Sequence, residues 1–277
     1  MKNIKFPIVI YSHTDYVDIL SVQSHYLKSF NNKILLINDS NLDDEIKQGY
    51  DRIITYDDSL PYASRLHVLD SIDAEYILFM HDIDVVVKSD IHELMHLYDI
   101  AVDNNLDRID LKYNGSFSKK NEYTSDIDIN SKYDYELVQS EGSYRYNVNA
   151  SIWRRSALLD IMRKFPMHSY RNIELTDVQH YCKDMKIYTL FSNQYINCGH
   201  FGCMPFFQFI HLTHAGKLLG KTNNPNDCGP YQNLHPTLQG IYQSILDDFQ
   251  LLTTRELDTR YYGSDYYHGP CINVGEK

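Results

Sequence analysis

Residues 75–87 read EYILFMHDIDVVV, in which one apolar run ends at Asp82 and Asp84 and a second apolar run follows. The first run is apolar throughout, as in a central strand of a parallel sheet that is buried on both faces. Side chains alternate between the two faces of an extended segment, so the two carboxylates share one face. Ligands of open α/β sheets bind at the carboxyl ends of the strands. The stretch therefore predicts a central strand that carries two carboxylates to a binding edge.

The segments around this stretch alternate between two periodicities. Short β-branched and aliphatic runs predict strands, and longer stretches with apolar residues at helical spacing predict helices. The predicted strands cover residues 8–11, 33–37, 52–56, 76–80 and 186–191. The predicted helices cover residues 17–30, 42–48, 60–73, 151–164, 175–185 and 236–252. This alternation predicts an α/β fold in which a Rossmann-like, mostly parallel central sheet is flanked by helices.

Residues 114–147 interrupt the alternation. The segment is rich in Ser, Asn, Asp, Lys and Tyr and has no sustained period. A stretch of this length is either a mobile loop or an irregular β excursion, and such loops commonly close over substrates. We expect an irregular mid-chain insertion that separates two halves of the fold.

The composition restricts the class of partner and the compartment. With a formal net charge of −11, the 277-residue chain lacks the basic excess that phosphate neutralisation needs, so a nucleic acid is not the expected partner. The five cysteines form no CxxC pair, as expected of free thiols in a reducing compartment. The N-terminal apolar run is too short for a signal peptide, and no run reaches the roughly 18 residues of a membrane span. We expect a cytoplasmic protein without a membrane span.

Asp82 and Asp84 are candidate metal ligands. Two carboxylates on one face attract a hard divalent cation such as Mg²⁺ or Mn²⁺, which keeps positions open for phosphate oxygens and water. The alternative is that acidic residues cap the next helix, which the sequence starts near Ile91. Capping accounts for Asp90 but not for a charged pair between two apolar runs, where unpaired carboxylates are costly to bury. The pattern favours a site for a metal-bound diphosphate.

Two regions resemble the GT-A glycosyltransferases, in particular family-2-like, metal-dependent members. Residues 61–87, PYASRLHVLDSIDAEYILFMHDIDVVV, are similar to the nucleotide-binding half, in which an Arg-bearing helix precedes a strand that ends in a DxD motif. Residues 149–162 and 171–190, NASIWRRSALLDIM and RNIELTDVQHYCKDMKIYTL, are similar to the acceptor half. The resemblance implies transfer of a sugar from a nucleoside diphosphate sugar, with a UDP- or GDP-sugar favoured, to a hydroxyl of a glycan or similar acceptor.

The same resemblance implies a domain organisation. A GT-A catalytic domain would cover residues 1–220, with a nucleotide-sugar-binding half at about 1–112 and an acceptor half at about 145–220. Residues 221–277 would form a C-terminal extension, including a C-terminal helix, packed on that domain.

On the donor side, the resemblance implies contacts from the loops that follow the first two strands. Ser12 and His13 would contact the nucleotide, although the same loop could simply cap a helix. Asp39 would hold the base or ribose, or else serve only as a turn residue. Arg65 would reach the diphosphate or base with its planar guanidinium, unless it is an ordinary surface residue of its helix.

The implied metal site draws on both halves of the chain. Asp84 would bind the ion directly, and Asp82 would bind the ribose, or the ion through water. Members of the family often take a third ligand from a His in the C-terminal third, and His211 and His214 are the candidates here. Lys217, beside them, would neutralise the departing diphosphate. Either His could equally be structural, and the sequence does not choose between them.

On the acceptor side, the usual adjacent acidic pair is spread over Glu174 and Asp177. One of them would be the general base that takes the proton of the attacking hydroxyl, with Asp177 slightly favoured because it lies at a helix start. Acidic residues at a helix start can also serve the helix dipole alone. Trp153 and Arg154 would help form the acceptor site, although a core Trp is equally consistent with the sequence. Inversion and retention are not distinguished.

Three rival functions share parts of this pattern. A nucleotidyltransferase would use a similar sheet, but it normally carries a Gly-rich, basic loop after the first strand, and YSHTDYVD has none. A nucleotide-sugar-binding protein without transferase activity would be favoured by loss of the carboxylates, which are present here. An enzyme that glycosylates DNA bases is disfavoured by the acidic charge.

Overall fold

The computed structural model describes residues 4–112, 127–140, 145–191, 201–204, 206–214, 217–219, 236–253, 255 and 257–258. The strands are β1 Ile8–Tyr11, β2 Lys33–Ile37, β3 Arg52–Thr55, β4 Tyr76–His81, β5 Asp84–Ser89, β6 Arg108–Asp110, β7 Glu136–Gln139, β8 Ser151–Arg154, β9 Ile187–Phe191, β10 Phe201–Met204, β11 Phe207–His211, β12 Thr213–His214, β13 Lys217–Leu219 and β14 Leu257–Asp258. The α-helices are α1 Val17–Leu27, α2 Asp44–Gln48, α3 Tyr62–Arg65, α4 Ile91–Asp103, α5 Arg155–Lys164, α6 Thr176–Tyr181 and α7 Pro236–Asp248. Short 3₁₀ turns cover Thr14–Tyr16, Leu66–Ser71, Cys182–Asp184 and Leu251–Thr253.

The main sheet has eight strands in the order β3-β2-β1-β4-β8-β6-β9-β7. The first four are mutually parallel, β8 runs antiparallel to β4 and β6, and β7 runs antiparallel to β9. Because β6 and β4 both oppose β8, they point the same way, and β9 is parallel to β6. The predicted fold class, a Rossmann-like and mostly parallel α/β sheet flanked by helices, is confirmed.

β4 is apolar because helices cover both of its faces. Tyr76, Leu78 and Met80 belong to the core cluster that includes residues of α1 and α4. Ile77 and Phe79 belong to the opposite cluster, which includes residues of α3, α5 and α6. All six residues of the strand are buried. The run that identified the strand in the sequence thus reflects a position at the centre of a three-layer domain.

A second, three-stranded sheet continues from the end of β4. After Ile83 the chain enters β5, which pairs with β11, and β11 pairs with β10. A third core cluster joins this sheet to the C-terminal helix, with Val85 and Ile210 from the strands, Ile19 from α1, and Tyr242 and Ile245 from α7. The C-terminal helix, predicted over residues 236–252, is therefore present and packs on the edge of the domain near α1.

Three predicted elements differ from the structure. The helix predicted over 151–164 begins as strand β8, because Ile152 and Trp153 pair on both sides with neighbouring strands, and α5 follows from Arg155. The helix predicted over 60–73 is one α-helical turn followed by a 3₁₀ turn. The mid-chain segment contains β7 at the edge of the sheet, and the parts of it at 113–126 and 141–144 lie outside the described residues.

No helix within the described ranges is both long and apolar enough to cross a bilayer. The division of the chain at residue 220 stays a prediction, since residues 220–235 and 259–277 lie outside those ranges.

Two glycines give a matched test of the packing. A Cβ added to Gly49 would lie 1.9 Å from Ser24 Oγ and 2.8 Å from Ser24 Cβ, whereas one added to Gly240 in α7 meets nothing within 4 Å. We expect Gly49→Ala to lower the free energy of unfolding by about 1–3 kcal/mol through overpacking. We expect Gly240→Ala to raise it by about 0.5–1 kcal/mol through helix propensity. Urea unfolding of both variants checks this, and a neutral Gly49→Ala would contradict the α1–α2 packing.

Candidate active site

Two loops meet at the carboxyl edge of the sheet, after β1 and after β4. Because these strands pair in parallel with Tyr11 opposite His81, the next residues, Ser12 and Asp82, emerge side by side. Ser12 Oγ donates to Asp82 Oδ2 at 2.5 Å, and the Ile83 N–H donates to Asp82 Oδ1 at 2.8 Å. The structure thus places Ser12 beside Asp82 and lets it orient the Asp82 carboxylate.

Asp84 begins β5 and faces the second sheet. β5 pairs with β11 so that Asp84 lies opposite His211. His211 Nδ1 and Asp84 Oδ1 are 2.9 Å apart, and the Asp84 carbonyl accepts from Gln23 Nε2 at 3.0 Å. The structure therefore brings together His211 and the carboxylate pair, although they are separated by well over a hundred residues in the chain.

Burial dominates the electrostatics of the carboxylate pair. Asp82 and Asp84 are 5% and 3% exposed. Burial raises the pKa of each carboxyl from 3.8 to about 7. The charge of Arg255 lowers the pKa of Asp82, and the charge of Lys112 lowers that of Asp84, but neither effect offsets burial. Because so little positive charge lies near these two buried carboxylates, a cation bound between them would interact with them strongly and favourably.

The donor atoms at this edge fit a hard divalent cation. Within the described ranges, no three His, Cys, Asp or Glu side chains converge to hold an ion by themselves. His211 directs Nδ1 at Asp84 rather than at a shared centre. Mg²⁺ and Mn²⁺ commonly bind through one or two carboxylates and take their remaining ligands from phosphate oxygens and water. Asp82 and Asp84 suit that partial coordination.

An aromatic cluster, here Tyr11, Tyr56, Tyr62, His81 and Tyr170, lies beside the carboxylates. Tyr62 Oη and His81 Nε2 are 3.1 Å apart, and the His81 ring centroid lies 5.3 Å from that of Tyr11 and 5.2 Å from that of Tyr170. Tyr11 stacks on Tyr56 at 5.1 Å. Burial lowers the pKa of His81 to about 4, so the imidazole is neutral at pH 7. The cluster is therefore a set of packed, uncharged rings next to the two carboxylates.

A second polar network lies farther along the same edge, at β6. Arg108, 1% exposed, donates through Nε and Nη2 to Ser151 Oγ at 3.0 Å and 2.7 Å, and through Nη2 to Asn147 Oδ1. Asp110 Oδ2 accepts from Asn147 Nδ2 at 2.7 Å and lies 3.2 Å from Arg108 Nη2. Because β6 runs parallel to β4, Asp110 lies at the same edge as Asp82. The network fixes the segment that precedes β8 beside the carboxylates.

Glu174 and Asp177 lie in different surroundings. Glu174 Oε1 accepts from the Val148 N–H at 2.8 Å, next to the polar network. Burial of its carboxyl raises the pKa of Glu174, although Arg108 and Lys112 act to lower it. The residue as a whole is nonetheless exposed to solvent.

Asp177 is an exposed residue that pairs with His168, the distance from Oδ2 to Nε2 being 2.9 Å. Slight burial acts to raise the pKa of Asp177, but hydrogen bonds from His168 and the Val178 N–H give a net lowering. Its Oδ1 accepts from the Val178 N–H at 3.0 Å, as in a helix start. The geometry therefore favours Glu174 over Asp177 as the base.

His13 and Arg65 belong to one charged group at the rim. His13 Nε2 lies 3.1 Å from Asp58 Oδ2, and Arg65 Nη1 lies 2.8 Å from Asp58 Oδ1. Arg65 also donates to the carbonyls of Leu60 and Asp58 at 2.7 Å each. The guanidinium thus organises the loop at residues 57–60 in this structure, and His13 acts as the N-cap of the turn at Thr14–Tyr16.

Asp39 forms a local turn at the end of β2. It is exposed, and its Oδ1 accepts from the Asn41 N–H at 2.9 Å. Asn38, one residue earlier, bonds instead to Thr14, whose N–H donates to Asn38 Oδ1 at 2.8 Å. The structure thus gives Asp39 the turn role that the sequence left open, and a donor contact by Asp39 stays a prediction.

Trp153 and Arg154 lie away from the carboxylate edge, and their acceptor role stays a prediction. Trp153 is 1% exposed and lies under Arg108, whose guanidinium carbon is 4.9 Å from the ring centroid. Arg154 pairs with Tyr76 at the amino end of β4, the edge opposite the carboxylates, and donates to the Leu106 carbonyl at 3.2 Å. Strand β8 runs antiparallel to β4, so each step along it leads away from the site.

The other predicted C-terminal residues lie on β12 and β13. His214 pairs in register with Lys217, and Lys217 is exposed. The side chain of His214 lies outside the described part of the structure, so its proposed ligation stays a prediction. The same holds for a contact between Lys217 and a diphosphate.

Arg255, which the sequence did not single out, approaches the site from the C-terminal segment. It donates to both oxygens of Asp18 at 2.7 Å, and its guanidinium carbon lies 4.6 Å from the centroid of the Tyr16 ring. Its charge lowers the pKa of Asp82. Arg255 thus joins the C-terminal segment to the start of α1, within electrostatic reach of the carboxylate pair.

No family model matches this chain. No curated protein matches it either. Solved structures with a similar fold include GT-A-like glycosyltransferases and related nucleotidyltransferases. TarS 1-349 from S. aureus in complex with UDP-GlcNAc is 12% identical with a TM-score of 0.42, covering 89% of this chain and 72% of that chain. Against another crystal structure of TarS 1-349, this chain spans 60% of that chain's length.

Two further structures show the same degree of likeness. An active-site mutant of LgtC is 12% identical with a TM-score of 0.41, covering 66% of this chain and 72% of that chain. A CMP:2-keto-3-deoxy-manno-octonic acid synthetase complexed with CTP is 12% identical with a TM-score of 0.42, covering 69% of this chain and 90% of that chain. Likenesses at this level carry no functional argument, so function is inferred below from this chain's own side chains.

The buried carboxyls give a test that needs no ligand. A carboxyl whose folded pKa is about 7 and whose unfolded pKa is 3.8 binds its proton more tightly when folded, so its ionisation costs stability as the pH rises through that window. We expect metal-free Asp84→Asn to exceed the wild type in free energy of unfolding at pH 8 by on the order of 1 kcal/mol or more. The gain should shrink at pH 4–5. Asp103→Asn, at an exposed position at the end of α4, is the control.

The measurement is urea unfolding of the three proteins in chelator at several pH values. Parallel stability curves for the wild type and Asp84→Asn across the range would contradict the burial of an ionised, uncompensated carboxylate.

Proposed function

We propose that this chain is a glycosyltransferase that takes a sugar from a nucleoside diphosphate sugar and transfers it to a hydroxyl of a glycan or similar acceptor. The observation that carries the proposal is the buried pair Asp82 and Asp84 at the carboxyl end of a central parallel strand, with little positive charge nearby. The second acidic group, Glu174, is held by the Val148 N–H next to the polar network at β6. One end of the edge suits a metal-bound diphosphate and the other a hydroxyl nucleophile.

The donor end would hold Mg²⁺ or Mn²⁺ through Asp84 and Asp82, with His211 and Ser12 fixing the two carboxylates. When bound, the cation would supply positive charge against the developing charge of the leaving diphosphate. Ser12 keeps Asp82 in place through its 2.5 Å hydrogen bond, and His211 does the same for Asp84 at 2.9 Å. Preorganised groups of this kind lower the barrier because they need not reorient during reaction.

Positive charge at the acceptor end comes from Lys112, which follows β6. Its ammonium lowers the pKa of both Asp84 and Glu174, so it lies within electrostatic reach of the two functional carboxylates. A cation between the donor and acceptor groups would help neutralise the diphosphate as it departs. We assign this role to Lys112, because its charge acts on two carboxylates of the proposed site.

Glu174 has the properties of a general base. Its carboxyl is held by the Val148 N–H, and its raised pKa brings it nearer to neutrality, where proton transfer from a hydroxyl is most effective. Arg108, Asp110 and Asn147 fix the segment that carries Val148. We therefore propose that Glu174 takes the acceptor proton and that Asp177 anchors α6 through His168.

The rival functions lack a supporting observation. Nucleotidyltransferase chemistry would need basic groups after β1, but the loop there consists of Ser12 and His13, and His13 is engaged with Asp58. A non-catalytic sugar-nucleotide-binding protein would not need a general base such as Glu174. The turnover experiment separates both rivals from the proposal, because neither rival releases a nucleoside diphosphate from a nucleotide sugar.

Binding of nucleotides should depend on the cation. In the presence of Mn²⁺, we expect UDP or GDP to raise the melting temperature of the wild type, because a ligand at about 100 times its Kd stabilises by about 2.7 kcal/mol. Asp84→Asn should lose most of this shift, and Asp103→Asn should keep it. The measurement is a thermal-shift panel of nucleoside diphosphates and nucleotide sugars, with Mn²⁺ or chelator. Absence of any shift with Mn²⁺ present would overturn the proposed function.

The two acidic candidates should differ in turnover. We expect Glu174→Gln to lower kcat by about 10²–10⁴-fold, the usual contribution of a general base. Asp177→Asn should change kcat no more than about threefold, because solvent competes for its exposed pair with His168. Release of nucleoside diphosphate from the donor identified in the panel measures turnover, with donor Kd as the control for folding. The reverse order of effects would assign the base to Asp177.

A further inference from the structure

Tyr170 is the exposed member of the aromatic cluster. It lies between α5 and α6 and is 38% exposed, whereas Tyr62 and His81 are each 4% exposed. Its ring centroid lies 5.4 Å from that of Tyr62 at an interplanar angle of 90°, and 5.2 Å from that of His81 at 68°. One side of the ring therefore packs against buried residues, while part of the residue is open to solvent.

Two hydrogen bonds connect the segment that carries Tyr170 to helix α3. Ser64 Oγ donates to the Pro166 carbonyl at 2.8 Å, and the Ala63 N–H donates to the His168 carbonyl at 3.2 Å. His81, against which the ring packs, is itself fixed by Tyr62 Oη at 3.1 Å. The ring is thus held by backbone and side-chain contacts that do not involve its own hydroxyl.

Tyr170 packs on His81, the residue that precedes Asp82, and it lies four residues before Glu174 in the chain. Burial raises the pKa of its phenol, and so do the charges of Asp84, Glu174 and Asp82, in that order. The ring is therefore within electrostatic reach of the carboxylates proposed for the diphosphate and of the proposed base. In a sugar transfer, the group that occupies the space between a diphosphate and an attacking hydroxyl is the transferred sugar.

We propose that Tyr170 is a specificity-determining residue that packs its ring on the apolar face of the transferred pyranose. This inference rests on the proposed function. An aromatic ring fixed at its back and open at its front offers a flat apolar surface, and a pyranose offers a matching face of C–H groups. The phenol adds a polar group to that surface. In this arrangement the nucleotide and the diphosphate would lie away from the ring.

The test separates sugar from nucleotide. Kd values are measured by calorimetry for one nucleoside diphosphate and its nucleotide sugar, each with Mn²⁺, on the wild type, Tyr170→Ala, Tyr170→Phe and Tyr181→Ala. Tyr181 is a matched control because it is 40% exposed and its ring packs on Phe165, at 5.6 Å between centroids. We expect Tyr170→Ala to weaken nucleotide-sugar binding about 3- to 10-fold, the range of an aromatic packing contact. Nucleoside diphosphate binding should stay within about twofold.

Tyr170→Phe should keep most of the affinity, and Tyr181→Ala should match the wild type. An equal loss for both ligands in Tyr170→Ala would show that the ring only supports the aromatic cluster, and no loss for either ligand would remove it from the site. Both outcomes overturn this inference while leaving the proposed function intact. A wild type that binds neither ligand overturns the proposed function and the sugar subsite with it.

Discussion

The burial of two carboxylates without adequate counter-charge is the constraint around which this edge of the molecule is arranged. Asp82 and Asp84 follow a strand that is covered on both faces, so they cannot turn to bulk water. Asp82 is instead held by hydrogen bonds from Ser12 and the Ile83 N–H, and Asp84 lies within hydrogen-bond distance of His211. A protein that retained such a pair for stability alone would be better served by apolar residues. A cationic ligand bound here would offset the free-energy cost of burying the two carboxylates.

The fold was predictable from the sequence wherever burial and local periodicity agreed. The strands β1, β2 and β9 and the centre of β4 follow from apolar runs, because parallel strands are buried on both faces and show it in composition. Strand β8 did not follow, because its residues have helical spacing and become extended only by pairing between β4 and β6. Pairing of that kind is a tertiary effect, which a single stretch of sequence does not record.

The site was predictable in its acidic residues and less so in their partners. Asp82 and Asp84 stood out because a charged pair between two apolar runs is unusual, whereas Ser12 and Glu174 came from the resemblance. The sequence does not record the direction of β8, which puts Arg154 at the edge opposite the carboxylates and Trp153 in the core. The aromatic cluster and Arg108 were missed, since a buried Tyr or Arg looks the same in sequence as an exposed one. The signal that could have found Arg108 is its alternation with Asp110 around the apolar Ile109 on β6.

The link from Arg255 to Asp18 bears on how the molecule is made. The two residues are 237 positions apart, and the bidentate pair joins the start of α1 to a segment near the end of the described chain. The contact between Asp84 and His211 likewise spans 127 positions. Contacts of such long range form late, after the loops between them have closed. During synthesis on the ribosome, strands β1 to β4 can therefore assemble before the residues that pair with Asp18 and Asp84 have been made. The contacts of Asp84 with His211 and of Asp18 with Arg255 form only after the last quarter of the chain has been made.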